Sequence, residues 1–197
     1  MGEAAAVKVA IDLVQVPSRV RHLQSRPLPD GVVMVLRIAA GDEAALSEAS
    51  KAVSRPRALV RTAAAFFIEQ ILLCADADSY RVLGASPHAT PGELRRNMAS
   101  LMRWLHPDAN RQGDQSIFAG RVTKAWEDLK TPERRAAYDT KRSKQDVKSR
   151  ARKKKGMRPQ RRSYASGQSS GIWKDERKGL LRRALLSLFA GAKHGRM

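Results

Sequence analysis

The feature that most limits what this chain can fold into is a pair of helical stripes separated by a proline. Leu94, Met98, Leu101 and Leu105 recur at spacings of four, three and four residues, which places them on one face of a helix. Arg95, Arg96 and Arg103 fall off that face, where water can reach them. Pro107 removes a backbone donor and drives His106 out of the α region, so the helix has to stop there. After a polar loop, Asp108 to Gln115, a second stripe opens with Phe118, Val122, Ala125, Trp126 and Leu129. Two helices joined by so short a loop pack antiparallel, which predicts His106, Pro107 and Asp108 at an exposed tip.

The flanks are punctuated in the same sense. Thr90 is an N-cap before Pro91, with Glu93 at the third helical position, and Thr131-Pro132 repeats the cap-plus-proline start. Before them stands Asp78-Ser79-Tyr80-Arg81-Val82-Leu83-Gly84. After the tip come Ala125-Trp126-Glu127-Asp128-Leu129 and Arg134-Arg135-Ala136-Ala137-Tyr138-Asp139. With His106-Pro107-Asp108, these stretches resemble the J domain of DnaJ-type co-chaperones. That family opens its first helix with Asp-Tyr-Tyr-x-x-Leu-Gly, and Ser79 stands here for one tyrosine. Its third helix carries Ala-Tyr-Glu-x-Leu, and the domain ends in Lys-Arg-Ala-Ala-Tyr-Asp. A tripeptide alone is a weak signal, whereas four motifs in order with helical periodicity between them are specific. The resemblance covers residues 76–142, roughly a third of the chain.

The resemblance implies an all-α, four-helix domain with a core of Leu83, Leu94, Met98, Leu101, Leu105, Phe118, Val122, Ala125, Trp126, Leu129 and Tyr138. It also implies a partner. In the family, the His-Pro-Asp loop and the basic face of the second helix engage a DnaK-type (heat-shock seventy) ATPase and speed its ATP hydrolysis. Carried over by residue, the trigger is His106, Pro107 and Asp108, and the docking charges are Arg95, Arg96 and Arg103. An unfolded or specific client protein is the other partner implied. Hydrolysis occurs on the ATPase, so the expectation is a regulator and not an enzyme; a lone histidine with no nucleophile or orienting base gives no triad. Ala99 and Ser100 depart from the family, which places basic residues in the middle of that helix. Arg103 stands where the family is usually apolar, and Trp104 replaces a usual lysine and is expected to meet the upstream helices, with an exposed docking residue as the alternative. These departures motivate the alternative of a non-stimulating interaction or anchoring protein.

No cofactor or metal is expected. The four histidines and Cys74 show no ligand spacing, and the family's zinc-binding cysteine repeats and Gly/Phe-rich linker are absent, as in its J-domain-only members. A single cysteine allows no intramolecular disulfide, which fits a reducing compartment. Residues 1–6 lack the basic start and apolar run of a secretory signal. No stretch reaches about 18 uninterrupted apolar residues, and a cytoplasmic placement, peripheral at a membrane surface if the tail binds one, is the expectation.

Around the J-like region the composition predicts four further segments. Residues 1–29, broken by Pro17, Pro27 and Pro29, read as a loose arm in which Val7 to Val16 alternates like a short strand. Residues 30–75 read as a small helical bundle docked as a scaffold on the J-like region, with Asp30 and Asp42 as caps and Gly41 as a stop; the alternative is a client- or partner-binding groove with Phe66 and Phe67 as candidate contacts. Residues 143–172 read as a disordered basic linker, and 173–192 as an amphipathic helix striped by Leu181, Ala184, Leu185, Leu188 and Phe189.

Charge is divided as sharply as structure. Residues 141–197 hold 19 Lys or Arg against three acidic residues, so the first 140 residues carry only +3 of the chain's +19. The tail contacts expected with phosphate are Arg150, Arg152, Lys153, Lys154, Lys155, Arg161, Arg162, Trp173, Arg182 and Arg183. Charge by itself suits nucleic acid through counterion release. A polybasic run with an amphipathic helix suits an anionic membrane surface. The plain structural reading is a solvated linker whose last helix packs back on the protein.

Overall fold

Residues 5–15, expected as part of a loose arm, instead form helix α1 (Ala5–Gln15), which buries Ala6, Val7, Ala10, Ile11 and Leu13. Val7 to Leu13 does alternate, but Ala6, Ala10 and Leu13 also form a helical row. The helical period wins because small residues let two helices approach closely: α1 packs chiefly against α5, where Ala63 and Ala64 are themselves buried. This computed structural model describes residues 4–106 and 115–156, and the described residues are helical with no strand.

Pro17 ends α1, and a 3₁₀ turn (Pro17–Arg19) leads into the short α2 (Val20–Gln24). Helix α3 (Val32–Ala39) begins after Gly31, which sits at φ 84°. Asp30, expected as its cap, instead lends its carbonyl to the Ala6 N–H at 2.9 Å, tying the first turn of α1 to this loop. Gly41, at φ 86°, follows the end of α3 as its spacing predicts. The Asp42 carboxylate caps α4 (Glu43–Val53) by accepting from Ala45 N–H at 3.0 Å and pairs with Arg37 at 2.8 Å. Helix α5 (Arg57–Phe67) runs into a wider π-helical turn, Ile68–Leu72. Phe67 is wholly buried there and Phe66 partly so, which removes Phe67 as an exposed client contact.

The J-like segment supplies α6 (Ser79–Val82), α7 (Pro91–Trp104), α8 (Gln115–Leu129) and α9 (Pro132–Gly156). The boundary expected at residue 75 does not divide the packing. Buried residues of α1, α3, α4 and α5 join those of α6, α7 and α8 in one cluster, within a unit spanning residues 1–154. A four-helix domain of this size alone hides only about 60% of its unfolded surface, so a shared core adds what it lacks. The two parts meet closely at Gly84, at φ 60°: a Cβ there would lie 2.9 Å from Val32 Cγ1 and 3.2 Å from Leu36 Cδ1.

A second correction concerns the basic linker. Helix α9 continues through residues 143–156, which were expected to be disordered. The helix is already nucleated at Thr131, whose Oγ1 accepts from Arg134 N–H at 3.3 Å. Each added residue then contributes one bond for one residue ordered, and Lys, Arg, Gln and Ala are good helix formers. Residues 157–172 and the helix expected at 173–192, with Arg161, Arg162, Trp173, Arg182 and Arg183, lie outside the described residues. Among the described residues no helix is long and apolar enough to cross a membrane.

Two stability effects follow. Gly84→Ala combines a left-handed φ with a clash against Val32, and is expected to cost about 2–4 kcal/mol in urea unfolding. Glu69, on the π turn, is partly buried, and that burial pushes its carboxyl above the ordinary range. A raised carboxyl favours the fold fully below the unfolded pKa, and that contribution disappears as pH rises through the folded pKa. Glu69→Gln should therefore raise the melting temperature at pH 7, with the difference vanishing toward about pH 4.

Candidate functional site

Helix α6 is four residues long and cannot hold its own geometry, so its neighbours hold it. Asp78 caps it by accepting from Arg81 N–H at 2.8 Å. Tyr80 is buried at its centre, and its hydroxyl donates to Asp139 at 2.9 Å while accepting from Arg135 Nε at 2.9 Å. Burial raises the Tyr80 phenol above its ordinary value; the Arg135 hydrogen bond opposes this and Asp139 adds to it. The hydroxyl therefore keeps its proton and its donor role. The guanidinium carbons of Arg135 and Arg142 lie 5.3 and 5.7 Å from the Tyr80 ring centre, and Tyr138 meets that ring edge-on at 5.9 Å.

The same residues bind α9 to the loop that launches α7. Arg135 donates to the Ala89 carbonyl at 2.8 Å and the Pro87 carbonyl at 2.7 Å. Tyr138 Oη accepts from Ser79 N–H at 2.8 Å, and Arg142 pairs with Asp78 at 3.2 Å. Ser79, the departure in the first-helix motif, is buried with its hydroxyl donating to Asp128 at 2.8 Å. Glu127 pairs with Lys130 at 2.7 Å and with Arg134, and the Lys130 contact does most to hold its carboxyl below the usual range. The motif residues of the third helix and of the domain's end are thus the fasteners of α6.

Helix α7 starts with a full capping box. Thr90 N–H donates to Glu93 Oε2 at 2.7 Å, and Thr90 Oγ1 accepts from Glu93 N–H at 3.3 Å. The Thr90 backbone contact holds the Glu93 carboxyl below its ordinary range. The buried row of α7 is Leu94, Asn97, Leu101 and Trp104, with Leu105 just beyond, while Met98 is only partly buried. Asn97 takes the place expected of Met98 because its side-chain amide donates to the carbonyls of Leu83 (3.0 Å) and Gly84 (3.3 Å), the open end of α6. The sequence carries an equally regular row, 94–97–101–104, but a polar Asn within it gives no burial signal. Trp104 is only 5% exposed and belongs to the shared core. Phe118, Trp126 and Tyr138 pack against the core partly buried, and Leu83, Val122, Ala125 and Leu129 are buried within it.

On the other side of α7, Arg95, Arg96 and Arg103 are exposed, as is His106 just past the helix end. The His106 N–H donates to the Arg103 carbonyl at 3.2 Å, so the chain still turns helically just past the end of α7. Pro107 and Asp108 lie outside the described residues. Arg150, Arg152, Lys153, Lys154 and Lys155 fall on the far part of α9. Among the described residues no group of three or more His, Cys, Asp or Glu could hold a metal ion.

The family described as DnaJ domain matches residues 78–139. Among curated relatives, a chaperone protein DnaJ of Leifsonia xyli subsp. xyli is 40% identical over 63 residues, covering 32% of this chain and 17% of that protein. One from Acaryochloris marina is 39% identical over 62 residues, 32% of this chain and 17% of its own length. The human DnaJ homolog subfamily C member 16 is 40% identical over 73 residues, 36% of this chain and 9% of that protein. The chain thus covers less than a fifth of the length of these relatives, and no solved structure matches it. The matched span coincides with the fasteners around Tyr80 and with the α7–α8 hairpin, and residues 78–139 of this chain are a DnaJ domain.

Proposed function

We propose that the protein is a co-chaperone that binds a DnaK-type chaperone and stimulates its ATP hydrolysis. His106, Pro107 and Asp108 form the trigger, and Arg95, Arg96 and Arg103 dock on an acidic surface of the partner. The observation that carries this reading is the two-sidedness of α7. Its inward row is Leu94, Asn97, Leu101 and Trp104, and α3 and α8 pack against the helix, yet Arg95, Arg96, Arg103 and His106 remain exposed. The additional N-terminal helices therefore leave the basic side of α7 open. Exposed charges of this kind chiefly steer and orient an encounter. The bond-breaking chemistry belongs to the partner, and this chain acts by binding.

Single-turnover ATP hydrolysis by a DnaK-type partner tests the proposal. Wild type is expected to accelerate the turnover, and His106→Gln to return it to the partner's basal rate. Wild type that accelerates none of several partners would overturn the reading and leave the domain an interaction scaffold. A second prediction uses Ala99, which is exposed on α7 where the family is basic. Ala99→Lys should raise the association rate about two- to fivefold at low salt. That gain should shrink above about 0.15 M salt, as measured by stopped-flow binding.

A further inference from the structure

The far half of α9 has no part in the docking assigned to α7. Residues 143–156 hold seven Lys or Arg and one acidic residue, a net charge of +6. Along α9, Tyr138, Asp139 and Arg142 are fastened to α6 and its cap. Beyond them Ser143, Lys144, Gln145 and Val147 are all exposed, Val147 to 68%. The helix continues past Arg142 to Gly156, about 21 Å at 1.5 Å per residue.

The distribution of residues along this stretch decides between lipid and nucleic acid. An interfacial membrane helix needs an apolar face at least about 100° wide, with large side chains to insert. Here Val147 and Ala151 are the only apolar positions, and at about 100° per residue Lys144 and Lys154 flank them on either side. Basic positions recur on every side instead. No Phe, Tyr or Trp lies between residues 143 and 156, so the stretch offers no platform for the stacked bases of a single strand. What remains is a rigid cationic rod. Its diameter of about 10–12 Å suits the major groove of B-form DNA, about 12 Å wide. The deep, narrow major groove of A-form RNA does not admit it.

We propose that residues 143–156 of α9 bind duplex DNA, lying along the major groove with their Lys and Arg residues on the flanking phosphates. Lys148 and Arg152, and Arg150 and Lys154, are like charges four residues apart, which repel in the free helix. Phosphates relieve that repulsion, so binding also strengthens the helix.

Fluorescence anisotropy of the full chain with a labelled mixed-sequence duplex, titrated between about 50 and 200 mM salt, tests this. Wild type should lose affinity steeply as salt rises. Changing Lys148, Arg150, Arg152, Lys153, Lys154 and Lys155 together to Gln should flatten the log–log salt slope by up to about 5. Ser149→Pro keeps every charge but breaks the helix, and should weaken duplex binding roughly tenfold. Unfolding midpoints report that the domain is intact in both variants. An unchanged salt slope in the neutralised variant, or unchanged affinity in Ser149→Pro, would overturn the proposal. So would equal affinity for duplex RNA, or tighter binding to phosphatidylglycerol–phosphatidylcholine vesicles than to DNA.

Discussion

The structure turns on the buried hydroxyl of Tyr80. Helix α6 is too short to persist by its own hydrogen bonds, and Tyr80 is what α9 grips through Asp139 and Arg135. Hydrogen bonds with a charged partner contribute about 1.5–3 kcal/mol each, and the burial of Tyr80 keeps water from competing for them. Because Arg135 also holds the carbonyls of Pro87 and Ala89, the same guanidinium locates the loop where α7 begins. The Tyr80–Arg135 contact thus helps to fix where α7 begins, and with it the side that Arg95, Arg96 and Arg103 occupy.

A second constraint comes from upstream. The chain carries its DnaJ domain packed with the preceding helices through one continuous core, with Gly84 against Val32 and Leu36 and with Trp104 buried in the same cluster. That arrangement draws on both sides of α7. Asn97 and Trp104 face inward, where the family's usual Lys at position 104 would leave a buried charge at a cost of several kcal/mol. The departure at Trp104 therefore belongs to packing, while the one at Ala99 stands exposed on the open side of α7.

Electrostatics separates the two ends of the molecule. The packed helices are nearly neutral, and some of their charges serve caps and pairs such as Thr90–Glu93, Glu127–Lys130 and Asp78–Arg142. The surplus is loaded on α9 past Arg142 and on the segment after it. Helix α9 thus begins as a fastener of the core and ends in a run rich in Lys and Arg.

Much of this was legible in the residue pattern. The α7–α8 hairpin, the capping box at Thr90, the proline starts and the DnaJ motifs are local, because caps and helical periodicity depend on residues within one or two turns. The helix of α1 was not, since Val7, Val9, Ile11 and Leu13 satisfy a strand period while Ala6, Ala10 and Leu13 satisfy a helical one. Only the buried alanines of α5 favour the latter. Nor was the choice between Met98 and Asn97 for the inner row, which depended on two unpaired carbonyls at Leu83 and Gly84 some 14 residues away. The extension of α9 through Lys-rich residues depended on a nucleus capped at Thr131 and anchored at Tyr80. The sequence by itself determined where helices start, stop and carry charge, since those forces act over a turn or two. The tertiary structure decided which faces are buried and that the upstream helices share the domain's core, because burial depends on partners that only folding brings together.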